Sequence, residues 1–75
     1  MLDLEERIIQ ILANLNAVRP EKALEVEAIK DNLKVENEAI RHIIRELKSK
    51  GYLMEEKEKI YLTMTGIIRA FSYYS

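Results

Sequence analysis

The sequence predicts a single small domain, mainly α with a small β-hairpin, in the order helix-helix-helix-hairpin-helix. Three observations lead there. The chain has 75 residues, too few for two independent cores, so residues 1–75 read as one unit. Hydrophobic residues make up 48% and charged residues 33%, with only two Gly and one Pro, a composition that packs and leans towards helix. Apolar residues recur at helical spacing up to Gly51, switch to short strand-like runs, and then return to helical spacing.

The first helix is expected over residues 4 to about 16. Asp3 and Glu6 fit a capping box, and Leu4, Ile8, Ile11, Leu12 and Leu15 fall on one stripe about 100° wide. Leu2, Ile9 and Ala13 lie off that stripe. Arg19-Pro20 closes the segment, because proline disfavours helix for the residue before it. Ala23-Leu24 is too short for more than a bridge of extended chain. A short second helix, residues 25 to about 32, carries Val26, Ile29 and Leu33 inward.

The third helix spans residues 37 to about 50 and stops at Gly51, a left-handed cap preceded by Lys48 and Lys50 in the last turn. Tyr52-Leu53-Met54 and Ile60-Tyr61-Leu62 then flank a charged run, residues 55–59, as the arms of a hairpin. No Asn-Gly or Asp-Gly marks its tip, so the turn type stays open. Thr63 caps a last helix, residues 64 to about 74, with Met64, Ile67, Ile68, Phe71 and Tyr74 on one side. The expected core sets Ile40, Ile44 and Leu47 against Leu12, Leu15, Ile29 and Leu33.

Composition removes several classes of function. Without Cys there is no disulfide scaffold, thiol nucleophile or cysteine metal site, and the single His42 cannot make a histidine-only one. No nucleophile–base pair or glycine-rich phosphate loop stands in the chain, so no enzyme and no cofactor are expected. The N-terminus carries no basic stretch ahead of an apolar run, and apolar runs reach three residues at most, so a cytoplasmic chain without membrane attachment is expected. Twelve Lys and Arg against thirteen Asp and Glu leave a net charge of −1, unlike a basic nucleic-acid coat but compatible with a small local basic face.

Residues 27–35 (Glu27-Ala28-Ile29-Lys30-Asp31-Asn32-Leu33-Lys34-Val35) look like the first helix and turn of a helix-turn-helix. Residues 39–53 are similar to a recognition helix running into a wing, and Leu62-Thr63-Met64-Thr65-Gly66 matches the "leucine, threonine, two residues, glycine" that follows the wing in MarR-, PadR- and ArsR-type regulators. Over residues 4 to 75 the chain resembles the winged helix-turn-helix family. The resemblance implies a DNA-binding transcriptional regulator acting as a small homodimer, with the third helix in the major groove of double-stranded DNA. As the alternative, it allows a winged helix used for protein–protein contact in a larger assembly, since fold alone does not decide use. Glu36 and Glu25 depart from the small polar caps usual in the family, so Asn37 is expected to cap the third helix. The Cys and His pairs of ArsR-type metal sensors are absent.

The third helix carries the expected DNA face. With Ile40 at zero on a helical wheel, Ile43, Ile44 and Leu47 stay within about 60° of it. Asn37, Glu38, Arg41, His42, Arg45, Lys48 and Ser49 take the other side. Arg41 and Arg45, four apart, project together and can each bind a guanine edge bidentately, with Asn37 and His42 beside them. Lys48 belongs on phosphate, and the resemblance puts Lys57 and Lys59 at the wing tip, against backbone or minor groove. The competing reading pairs Arg41 and Arg45 with Glu38 and Glu46 as solvated charges. It makes the hairpin carboxylates solubilising, edge-protecting groups. Residues 36–51 hold four bases against three acids. Surplus apolar residues on the terminal helices, namely Leu2, Ile9, Ala13, Ala70, Phe71, Tyr73 and Tyr74, are the expected dimer interface.

Overall fold

The computed structural model describes residues 3–74, starting at Asp3. The Asp3 carboxylate accepts from the Glu6 amide at 2.8 Å and caps α1 (Leu4–Asn14). A single 3-10 turn (Pro20–Lys22) and the short strand β1 (Leu24–Glu25) lead to α2 (Val26–Leu33) and α3 (Asn37–Ser49). The hairpin strands β2 (Leu53–Glu56) and β3 (Lys59–Leu62) follow, and α4 (Met64–Ser72) closes the chain. The molecule is thus mainly helical with a small antiparallel sheet, ordered β1-β3-β2. β2 pairs β3 in the register Leu53↔Leu62 to Glu56↔Lys59, and β1 pairs the other edge of β3 through Leu24↔Ile60 and Glu25↔Lys59.

β1 is more than the expected bridge of extended chain. Two residues are too few to show a period, yet they give the central strand a second hydrogen-bonded neighbour. The arrangement also explains an acidic residue at the start of α2. Glu25 makes no side-chain cap; instead the Val26 amide donates to the Glu58 carbonyl at 3.0 Å, so the hairpin backbone satisfies one of the helix's open donors.

Local chemistry sets the other helix ends. After α1 the chain turns at Asn16, φ 61°, with the Ala17 amide donating to the Leu12 carbonyl and the Asn16 amide to the Ala13 carbonyl. α3 ends the same way at Gly51, φ 79°, with Tyr52 donating to Leu47 and Gly51 to Lys48. Both are the paired bonds of a Schellman motif. Asn37 is the first residue of α3 rather than its cap. Glu36 holds the cap position in extended geometry, and its side chain makes no capping bond.

Thr63 joins three segments. Its hydroxyl accepts from the Gly66 amide at 3.1 Å and donates to the Gly51 carbonyl at 2.6 Å, while its own amide donates to the Tyr52 carbonyl at 3.1 Å. The start of α4 is thereby fastened to the end of α3 at the base of the hairpin.

The core gathers Ile8, Ile9 and Leu12 of α1, Ile29 and Leu33 of α2, Ile40, Ile44 and Leu47 of α3, and Leu53, Ile60 and Leu62 of the sheet. Three apolar expectations change. Leu15 is 61% exposed, because α1 ends at Asn14 and the left-handed Asn16 turns the chain away. Ile9 and Ala70 are buried within their own chain, at 0% and 1% exposure, and do not supply the surface expected of an interface. The cause is that α1 packs against α4 as well as α3 and β3, so a wider arc of α1 is covered than one stripe. Leu2 lies outside the described residues. Among the described residues no helix is long and apolar enough to cross a membrane.

Candidate nucleic-acid interface

α3 is strongly two-sided. Ile40, Ile44 and Leu47 anchor one face in the core, which fixes the opposite face in the solvent at a defined rotation. On that face Asn37, Glu38, Arg41, His42 and Arg45 line one shallow groove. A second cleft, between the start of α2 and the hairpin tip, is lined by Glu25, Glu27, Arg41, Lys57, Glu58 and Lys59 together with Val26. Arg41 is common to both. The expected DNA-facing residues are therefore neighbours in space; Lys48 lines neither groove and joins them through Glu55, which it shares with Arg41.

The charges are not equally available. Arg41 Nη1 lies 3.3 Å from Glu55 Oε2, and Nη2 lies 3.1 Å from Glu58 Oε1. Lys48 Nζ reaches the other oxygen of Glu55 at 3.2 Å. Arg41 thus pairs across to the hairpin, not along its helix to Glu38. Glu55 is largely covered, so it is more than an exposed solubilising charge. Asn37, His42, Arg45, Lys57 and Lys59 are exposed and, among the described residues, enter no side-chain hydrogen bond or ion pair.

The tip resolves the turn left open by the sequence. Lys57 and Glu58 both adopt left-handed geometry, φ 51° and 64°, between the paired residues Glu56 and Lys59. This is a two-residue type I′ turn built without glycine. Each such residue carries strain, offset here by bonds from outside the hairpin: the Val26 amide on the Glu58 carbonyl and Arg41 on the Glu58 carboxylate.

Elsewhere, exposed ion pairs link neighbouring elements. Lys50 donates to Glu5 at 3.0 Å, joining the end of α3 to the start of α1, and this hydrogen bond raises the lysine's pKa above its ordinary value. Lys30 is raised in the same way by its hydrogen bond to Glu27. Exposed pairs of this kind contribute little stability.

A second surface runs along α4 and into the turn that follows it. Met64, Ile68, Phe71 and Tyr74, at helical spacing, are 71%, 63%, 69% and 66% exposed. Of the other residues expected at an interface, Ala13 and Tyr73 are half-buried against the core. The Tyr73 ring also carries the Arg69 guanidinium, 5.1 Å from its centroid.

The chain matches no family model, no curated protein and no solved structure.

Proposed function

We propose that this chain is a cytoplasmic winged-helix protein that binds double-stranded DNA as a homodimer and regulates transcription. In this reading α3 lies in the major groove and the hairpin is the wing. Support for the fold comes from the element order and from β1, which completes a three-stranded sheet with the hairpin. The observation that carries the function is the outward face of α3. Asn37, His42 and Arg45 stand exposed there with unused donors, and Lys57 and Lys59 flank them. Such a face suits base edges, and the flanking lysines suit phosphate.

Arg45→Ala is expected to lose about 1–3 kcal/mol on a preferred duplex and to relax base preference at one position. Lys57→Ala should weaken all duplexes alike and lower the salt slope by about one unit. Titration of a labelled random-sequence duplex at low salt checks the premise. Absence of binding by the wild type would reject the DNA reading in favour of a winged helix that contacts protein. One observation favours that second reading: the two glutamates on Arg41 withdraw positive charge from the face.

The homodimer rests on the α4 surface. Large side chains bury about 150–250 Å² each. At the exposures given above, the four residues offer on the order of 500 Å² per protomer, or about 1,000 Å² over two copies, where a specific interface becomes feasible. The patch itself is uncharged, so it is compatible with its own copy across a two-fold axis. Ile68→Glu with Phe71→Glu is expected to convert a dimer into a monomer in sedimentation without loss of helix content. A wild-type chain that sediments as a monomer at tens of micromolar would remove the homodimer from the proposal.

A further inference from the structure

We infer that Glu55 and Glu58 act as internal phosphate mimics, occupying Arg41 and Lys48 and so reducing the number of DNA phosphates the domain neutralises by two. The inference rests on the DNA-binding reading and concerns how that surface is restrained. Both terminal nitrogens of Arg41 are engaged, one by each glutamate, and both oxygens of Glu55 are engaged, one by Arg41 and one by Lys48. The central carboxylate, Glu55, has a side chain only 17% exposed, so this end of the network is less screened than a surface pair. Glu56, the next residue on β2, is exposed and among the described residues forms no ion pair.

A carboxylate and a phosphate oxygen make similar charge-assisted bonds to a guanidinium. When Arg41 moves from Glu55 and Glu58 to a phosphodiester, one set of ionic bonds replaces another, and two carboxylates are left facing the DNA backbone. The exchange yields little, and the same holds for Lys48. Binding to duplex that offers phosphates alone is therefore suppressed, because that mode depends on the count of neutralised phosphates. Contacts from Asn37, His42 and Arg45 do not pass through the network, so their relative weight rises. This gives a domain of net charge −1 a way to limit indiscriminate binding while keeping its cations on the face.

The test compares wild type with the E55Q/E58Q double variant on random-sequence duplex across a salt series. E56Q serves as a control for the loss of a hairpin charge, and R41A/E55Q/E58Q tests the route. The double variant is expected to steepen the salt slope by about two units and to tighten low-salt binding by about tenfold or more. E56Q should leave the slope unchanged, and adding R41A should remove about half of the steepening. Circular dichroism checks that each variant is folded; should the double variant unfold, E55Q and E58Q singly must each fall between wild type and these values. A double variant with the wild-type slope, a gain matched by E56Q, or a gain that survives R41A intact overturns the inference and leaves the DNA reading standing. If neither wild type nor the double variant binds any duplex at low salt, the DNA reading itself fails and takes the inference with it. Binding by the double variant where the wild type shows none also rejects the DNA reading and the inference with it, because the binding is then created by the substitutions.

Discussion

Gly66→Ala is expected to destabilise the domain by about 2–3 kcal/mol, although alanine is the better helix former. On propensity alone the substitution within α4 would stabilise by about 1 kcal/mol. Packing reverses the sign. A methyl group built on Gly66 collides with the Tyr52 carbonyl oxygen and sits 2.9 Å from both the Tyr52 carbonyl carbon and Leu62 Cδ2. The leucine tip can shift, but the Tyr52 backbone cannot easily do so. Its carbonyl accepts from the Thr63 amide and its own amide donates to the Leu47 carbonyl, so moving it disturbs both the α3 terminus and the start of α4. Urea denaturation measures the difference. Unchanged or increased stability would show that this crossing is looser than the close approach implies.

Leu47→Ala should cost about 2–5 kcal/mol, the range for emptying a tight core position. Leu47 is fully buried on the inward face of α3, one turn beyond Ile44 and two beyond Ile40. The backbone bond from Tyr52 to the Leu47 carbonyl survives the substitution, so the loss reports side-chain packing rather than the helix cap. A 75-residue domain holds about 4–11 kcal/mol in total, so this one change removes a large part of it. A loss under about 1 kcal/mol by denaturation would take Leu47 out of the core.

These two sites differ in how they could be foreseen. Leu47 was legible because its burial follows from α3's own period. The same local logic identified Asp3 and Thr63 as caps and Gly51 as a left-handed terminus. It failed wherever a distant segment decides the outcome. Ile9 lies off the expected stripe and becomes core because α1 also packs on α4, which no wheel drawn on α1 contains. β1 exists because β3 has a free edge, and Glu25 opens α2 because the Glu58 carbonyl serves the Val26 amide. Within the candidate site, the spacing of α3 placed Asn37, Arg41, His42 and Arg45 around one groove. Spacing could not show that Arg41 is held by carboxylates 14 and 17 residues away. Nor do Lys57 and Glu58 carry the asparagine or glycine signal that usually announces two successive left-handed residues.

The bond between the Val26 amide and the Glu58 carbonyl has a consequence for any ligand of this face. It makes the tip part of the scaffold. Swinging the hairpin aside would leave a helix-terminal donor open and loosen two residues whose left-handed geometry relies on outside support. A partner of this face would therefore meet it already ordered, with little chain entropy lost there on association. The adaptation would fall on the other molecule. Under the DNA reading proposed above, recognition would then favour duplexes whose shape or deformability already matches a rigid template, and a stiff, poorly fitting one would be rejected even when its charges are right.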